Sequence, residues 1–136
     1  MEANNYQNEN LHPAKRRKLL EKAAESGIKY LDSMDTRRVG PDQSDLLKLV
    51  ELDTKLQVEP IDPNDVIKLL SEVGSRTTVG NSGGRYFGFV IGGSHPVSVA
   101  ANWIAGSWDQ NSGLIVTSPF NAKIEEITSN WLKEIL

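Results

Sequence analysis

Apolar residues recur every three or four positions from Pro13 to about residue 35, and mainly charged residues occupy the positions between them. This spacing places the apolar side chains on one stripe of a helix and the charged side chains on its other faces. Pro13 suits the first turn of such a helix, because its missing N–H would have no partner there. We therefore predict a long amphipathic first helix, whose stripe consists of Leu19, Leu20, Ala23, Ala24, Ile28, Leu31 and Met34.

Two shorter helices are predicted after the turn sequence at residues 39–42. Leucine and valine side chains within residues 46–56 favour a second helix. Asp62 can cap and Pro63 can start a third helix, which Gly74 is expected to close. The first half of the chain is thus predicted to be helical, with short connections.

A change of pattern follows the third helix. Residues 75–84 are polar and rich in glycine, which is typical of a connecting loop. Residues 86–91 combine aromatic and β-branched side chains, so they predict a short extended segment.

Two further helices are predicted in the last third of the chain. Residues 92–96 form a turn into the fourth helix, and Ser118-Pro119 starts the fifth after a loop. The fifth helix has neither Gly nor Pro as a stop signal before the sequence ends at Leu136. We expect this helix to be cut off from a segment that would cover it.

Composition and charge narrow the classes of partner. Fifteen Lys and Arg residues against eighteen Asp and Glu residues give a net charge of −3, which provides no overall field for nucleic acid or an anionic membrane. No apolar run approaches the roughly 20 residues of a membrane span, and the polar N-terminus does not resemble a signal peptide. Cysteine is absent, which excludes disulfides and thiolate chemistry. We therefore predict a cytoplasmic location and neither a nucleic-acid nor a membrane partner.

Several groups of residues suggest binding chemistry, and each has a simpler alternative. The basic residues 15–18 suit a nucleic-acid patch, but on a helix they point in four directions, which favours a water-facing surface. The glycine-rich residues 80–84 and 92–94 suit a phosphate loop. No Gly-Lys-Ser/Thr follows either of them, which favours plain turns.

Residue types that often act as catalysts or metal ligands form no recognisable pattern. His12 and His95 are the two histidines, too far apart in sequence to indicate a metal site, and His95 before Pro96 is more typical of a helix cap. Glu125 and Glu126 are adjacent on a helix and diverge by about 100°, so they do not form an acid–base pair. The residue pattern alone therefore predicts a mostly helical segment with an aromatic, glycine-rich loop and no catalytic constellation.

A series of short motifs occupies the second half of the chain. The motifs are Arg85-Tyr86-Phe87-Gly88-Phe89-Val90, Gly92-Gly93-Ser94-His95-Pro96, Ala100-Ala101-Asn102-Trp103, Asp109-Gln110-Asn111 and Ser118-Pro119 with Glu125. In order and spacing they resemble the N-terminal part of the group II pyridoxal-phosphate-dependent decarboxylases, which act on aromatic amino acids, histidine and glutamate. Residues 29–41 look like the end of that family's first helix and the linker after it. The resemblance covers about residues 14–136, with Gly83-Gly84 in place of the family's usual His-Pro and Asn102 in place of its Asp.

The resemblance implies a fold class and an organisation. It implies a mainly α segment at the N-terminus of an aspartate-aminotransferase-like, fold type I enzyme, with the large α/β cofactor domain absent from this chain. Residues 1–12 would be a lead-in, residues 13–84 the dimerising helices and linker, and residues 85–136 the start of the decarboxylase core. The family works as a homodimer whose N-terminal helices pack across the two subunits.

The resemblance also implies site residues. Phe89, Val90 and Gly92 would line the substrate pocket, and the loop carrying Asn111 and Gly113 would approach the pocket of the partner subunit. Core packing is the alternative interpretation of Phe89 and Val90, and the sequence does not separate the two. The cofactor would be pyridoxal 5'-phosphate, bound through a Schiff-base lysine and other residues that lie downstream in the family. No catalytic or cofactor-binding residue is therefore predicted here.

Two functions follow as hypotheses. The first is a fragment of a carboxy-lyase that converts an amino acid into an amine and CO₂, inactive without the cofactor domain. The alternative is a non-catalytic helical module for dimerisation or interaction, since the first helix carries an apolar stripe that needs a partner. These residues do not indicate which amino acid the parent enzyme would accept as substrate.

Overall fold

A computed structural model describes residues 12–136, so the predicted lead-in lies outside the described residues except for His12. The described residues are mainly helical and contain no strand, which confirms the mainly α prediction. The helices are α1 (Pro13–Asp32), α2 (Gln43–Leu46), α3 (Pro63–Leu69), α4 (Ser75–Thr77), α5 (Pro96–Trp108) and α6 (Pro119–Ile135). The chain divides into two compact units, one ending at Gly93 and the other spanning Ser94–Leu136.

Helix α1 begins where the sequence predicts. Pro13 lies in its first turn, and the Nδ1 atom of His12 accepts a hydrogen bond from the Ala14 N–H at 3.4 Å. At its other end the helix tightens into a 3-10 turn over Ser33–Asp35. The predicted end near residue 35 is therefore confirmed, although its last turn is not α-helical.

The second predicted helix is shorter than expected. Asp42 caps α2 by accepting a hydrogen bond from the Ser44 N–H at 3.1 Å, and a 3-10 turn over Leu47–Leu52 completes the element. The prediction of helix to residue 56 is wrong, because Leu56 lies in an irregular segment and is 99% exposed. A short helix is marginal without packing on an apolar face, and Leu56 has no such packing.

Helix α3 begins as predicted but does not stop at Gly74. The Asp62 carboxylate accepts a hydrogen bond from the Asn64 N–H at 2.7 Å, and Pro63 lies in the first turn. A π-helical turn over Leu70–Gly74 then joins α3 to α4. Hydroxyl groups bond carbonyls one turn earlier, as in the 2.9 Å bond from Thr77 Oγ1 to the Val73 carbonyl. These bonds satisfy backbone acceptors around the π turn, and the helix continues past the glycine to Thr77.

Polar side chains of helix α1 form hydrogen bonds with residues in and directly after the α3–α4 stretch. Ser71 Oγ lies 3.0 Å from Ser26 Oγ, and the Tyr30 hydroxyl lies 2.9 Å from Thr78 Oγ1. Among the described apolar side chains, Met34 and Val73 are the buried ones. The first unit therefore combines a very small apolar core with polar contacts between its helices.

The predicted extended segment at residues 86–91 is wrong. Phe89 and Val90 have φ values of 49° and 56°, and they form the centre of a turn that the Ile91 N–H closes on the Gly88 carbonyl at 3.3 Å. A strand needs a neighbour that supplies ladder hydrogen bonds, and the described residues contain no strand. Aromatic and β-branched composition alone was not sufficient to make this segment extended.

The second unit consists of α5, α6 and the loop between them. Helix α5 ends at Trp108, where the C-cap residue Asp109 has a left-handed conformation, and Pro119 begins α6, so both predicted helices are confirmed. The rings of Trp108 and Phe120 meet edge to face with centroids 5.3 Å apart. Most other large apolar side chains of the two helices are exposed, namely Val97, Trp103, Ile104, Ile124, Trp131, Leu132 and Ile135. None of the helices within residues 12–136 has the length and apolar character needed to cross a membrane.

Truncation of Val73 tests the small core. Val73 is 4% exposed, so Val73→Ala removes buried methyl groups, and we expect the free energy of unfolding to fall by roughly 1–2 kcal/mol. Chemical denaturation followed by circular dichroism measures this change. Val58→Ala is the matched control, because Val58 is 95% exposed and its truncation should leave the unfolding midpoint unchanged. Equal effects of the two substitutions would show that Val73 is not a core residue.

The cap of α3 predicts a pH dependence. The pKa of Asp62 is held below its ordinary value of 3.8, first by the backbone N–H of Asn64, then by the Asn64 side chain, with weaker attraction from Lys15 and Lys22. A lowered folded-state pKa means that the charged cap stabilises α3 above the unfolded-state pKa. That stabilisation is lost as the pH falls through the folded-state pKa.

Titration of the Asn64 amide resonance measures this effect. We expect a midpoint below 3.8 in the wild-type chain and no titration of this resonance in Asp62→Asn, which keeps an acceptor oxygen without the charge. A wild-type midpoint at or above 3.8 would contradict the cap.

Candidate functional site

Two arginine side chains lie at the C-terminal end of α1 and connect three separate segments. Arg85 Nη2 donates to the carbonyl of Met34 at 3.0 Å and also to the carbonyl of Arg37. Arg37 Nη2 donates to the carbonyl of Ser75 at 2.6 Å. Carbonyls at helix ends lack helical donors, and a cation there also interacts favourably with the helix dipole. The two guanidinium groups therefore hold residues 75–85 against the end of α1.

The Arg37 guanidinium is also held by an aromatic ring. Its central carbon lies 4.3 Å from the centroid of the Tyr30 ring, within the range of a cation–π interaction. Its Nε atom is buried and has no hydrogen-bond partner in the described structure, and Nη1 has none there either. Arg37 is thus fixed in position while two of its three nitrogens donate to no described group.

A groove of about 680 Å³ lies beside Arg37. Its walls come from α1, the residues that follow α1 and the α3–α4 stretch, and they include Lys29, Tyr30, Ser71 and Glu72. This volume is within the usual range of small-molecule sites. The groove is therefore large enough for a small ligand.

Some charged groups around the groove already neutralise each other. Arg38 pairs with Asp42, and Arg76 lies 3.9 Å from Asp45. The pKa of Asp42 is lowered, first by the backbone N–H of Ser44 and further by the Ser44 side chain and by attraction to Arg38. Asp42 is therefore ionised at neutral pH and acts as a true partner for Arg38.

The structure places the predicted substrate-pocket residues on an exposed turn of the first unit. Phe89 is 92% exposed and Val90 is fully exposed, so the interpretation of these two residues as core is wrong. Gly92 lies two positions after Val90, and none of the three residues lines the groove beside Arg37. A positive φ is rare for a β-branched residue and costs on the order of 1–3 kcal/mol.

Asn111 and Gly113 lie in the loop of the second unit, where they bond to each other. The Oδ1 atom of Asn111 accepts a hydrogen bond from the Gly113 N–H at 3.0 Å, and the Asn111 carbonyl accepts one from the Thr117 hydroxyl at 2.9 Å. A Cβ atom at Gly113 would lie 3.2 Å from that same Oδ1 atom, which is a close contact. Asn111 therefore organises the loop through its oxygen atoms, and its side-chain NH₂ has no partner among the described residues.

The structure also shows the positions of the two histidines and of the basic cluster named in the sequence analysis. His12 acts as a cap, whereas His95 lies at the N-cap of α5 without a side-chain hydrogen bond to it. The basic residues 15–18 are exposed on α1, where Arg17 pairs with Glu21 at 2.7 Å, in agreement with a water-facing surface. Within residues 12–136, no group of three or more His, Asp or Glu side chains could hold a metal ion.

Comparison of the chain with protein-family models, with curated proteins and with solved structures found no match. The family resemblance therefore depends on the motifs within the sequence itself.

The arginine contacts are the part of the site that sequence reasoning missed. Arg85 and Arg37 both belong to the family-like motifs, but neither was predicted to have a site role. Their acceptors lie far along the chain, since 51 positions separate Arg85 from Met34. No local signal in the sequence points to a backbone carbonyl at that distance.

Substitution of Arg85 tests the connection to α1. Arg85→Gln removes the charged donor from two carbonyls, and we expect the free energy of unfolding to fall by about 1 kcal/mol, a modest value because the side chain is partly exposed. Amide hydrogen exchange should become faster at residues 80–86 and in the last turn of α1. Arg16→Gln is the matched control on the exposed face of α1. Unchanged exchange in the Arg85 variant would refute this role.

Proposed function

We propose that this chain serves as the N-terminal helical part of a pyridoxal-phosphate-dependent amino-acid decarboxylase and has no catalytic activity by itself. In that role it supplies subunit-contacting helices and loops that shape the substrate pocket. The cofactor would bring the electron sink that carboxyl loss requires, through residues outside this chain. The proposal rests on the motif series from Arg85 to Glu125 and on one structural observation.

That observation is the exposure of apolar side chains where the family would place contacts. In α1, Leu20 is 60% and Ile28 is 51% exposed, whereas Leu19, Ala23 and Leu31 of the same stripe are half-buried. Large exposed apolar patches are typical of protein interfaces. The exposed faces of α1, α5 and α6 therefore favour a protein that works in contact with other polypeptide surface.

The exposed turn supports the same proposal. Phe89 and Val90 adopt positive φ values without covering contacts. Strained residues of this kind cluster at ligand clamps and at functional sites, where surrounding groups fix the conformation. A pocket completed by other polypeptide segments would provide those groups.

A cofactor-binding experiment tests the lack of catalytic activity. The 136-residue chain is mixed with pyridoxal 5'-phosphate, reduced with borohydride and analysed by absorbance and peptide mass spectrometry. We expect neither aldimine absorbance nor a specific adduct, and no CO₂ release from amino acids. A stoichiometric adduct on one lysine, such as Lys123 or Lys133, would refute this part of the proposal.

A separate experiment tests the subunit contact, so that the two parts can fail independently. Size-exclusion chromatography with light scattering should show concentration-dependent self-association. The double substitution Leu20→Asp and Ile28→Asp should weaken it about tenfold or more, because charged groups replace buried apolar area. Val58→Asp is the control at an exposed position outside the helices. A monomer at every concentration would refute pairing through α1.

The alternative function is a helical interaction module unrelated to decarboxylation, which the same exposed faces also favour. The DNA beyond the codon for Leu136 discriminates between the two. Our proposal expects a continuing reading frame with a Schiff-base lysine, whereas a stop codon together with self-association favours the module.

A further inference from the structure

We infer that the groove beside Arg37 is a binding site for a small organic monocarboxylate. This inference is independent of the proposed decarboxylase role, because it concerns a groove that none of the family-implied site residues lines. The contacting groups would be Arg37 Nη1 and the Lys29 ammonium.

The first argument is the unused donor capacity of Arg37. A guanidinium carries five N–H donors, and those of Nε and Nη1 have no partner in the described structure. A ligand oxygen on Nη1 would use donors that the protein itself leaves unpaired.

The second argument is preorganisation. The Tyr30 ring fixes the plane of the guanidinium, and the 2.6 Å bond to the Ser75 carbonyl fixes its rotation within that plane. Little side-chain freedom remains to be lost when an anion binds, which reduces the cost of binding. A surface arginine without these contacts would not have this property.

The third argument is the charge around the groove. After the Arg38–Asp42 and Arg76–Asp45 pairs are set aside, the lining keeps two cations, Lys29 and Arg37, and one anion, Glu72. None of these three groups forms an ion pair with another described residue. Two positive charges and one negative charge leave an excess of one positive charge, which matches a monoanion.

The fourth argument separates carboxylate from phosphate. A phosphate dianion needs several converging donors, but the hydroxyls of Ser71 and Ser75 donate to the backbone carbonyls of Ile67 and Ser71. The Glu72 carboxylate, the anion of the lining that has no ion-pair partner among the described residues, would repel a dianion more strongly than a monoanion. A monocarboxylate needs fewer donors, because one of its oxygens can accept from Arg37 Nη1 and the other from the Lys29 ammonium.

Acetate is the probe for this site. The Arg37 Nε–H resonance of the full 136-residue chain is followed by NMR as sodium acetate is added at constant ionic strength, with sodium chloride and inorganic phosphate as parallel titrations. We expect a saturable shift with acetate, a weaker one with phosphate and a linear one with chloride. Stronger binding of phosphate, or no saturation with acetate, would overturn the inference.

Substitutions of groove residues test whether acetate binds in the groove. Lys29→Gln should weaken acetate binding about threefold, as expected for the loss of one exposed charge, while Lys18→Gln on the same helix is the control and should have no effect. Arg37→Gln removes the Nε–H resonance, so the Ser75 and Thr78 amides are followed instead. We expect acetate to shift these amides saturably in the wild-type chain and not in this variant. If that variant does not fold, the comparison of Lys29→Gln with Lys18→Gln still decides the outcome. Equal binding by all variants would overturn the assignment.

The source of the carboxylate is tested by dilution. A shift of the Arg37 resonance with protein concentration, without added anion, would assign the carboxylate to a second copy of the chain and overturn a free small ligand. A resonance that is independent of protein concentration supports the free ligand.

Discussion

The backbone carbonyls at the end of α1 are the acceptors on which the first unit depends. Its buried apolar side chains, Met34 and Val73, are too few to hold residues 75–93 in place by burial alone. Directional bonds from Arg85 and Arg37 supply the missing constraint, because each guanidinium reaches carbonyls on segments that are distant in sequence. The position of the groove follows from these bonds, since Arg37 lies at its wall.

Helical periodicity and capping residues predicted most of the helical fold. The starts of α1, α3, α5 and α6 follow from prolines and their preceding residues, whose effects are local. The continuation past Gly74 was not predicted, because a glycine after the last apolar position is a usual helix stop and the sequence gives no signal for the π turn that passes through it. The extended segment was wrong for a related reason: strand formation requires a pairing partner, which composition does not report.

The same limit applies to the candidate site, where local motifs were recognisable in the sequence and contacts between distant residues were not. Phe89, Val90 and Gly92 were named from family-like motifs, and the sequence could not separate a substrate-pocket role from core packing for the first two. Both side chains are exposed in the structure. The loop around Asn111 was predicted as a loop, but its internal bonds to Gly113 and Thr117 were not. Arg37 was not predicted as a binding residue, because its fixed position comes from Tyr30 and Ser75, which contact it only in the folded chain.

The two units differ in what a partner must supply. In the second unit, indole and aliphatic side chains such as Trp103 and Trp131 are exposed, so a partner gains free energy mainly by removing apolar area from water. In the first unit, the groove offers a fixed guanidinium with unpaired donors, so a ligand gains free energy by matching charge and geometry. Burial of apolar area tolerates differences in the partner's surface, whereas N–H donors in fixed positions require acceptor atoms in matching positions. In our two proposals, selectivity for a small ligand would therefore come from the groove, and the strength of association with another polypeptide would come from the exposed helices.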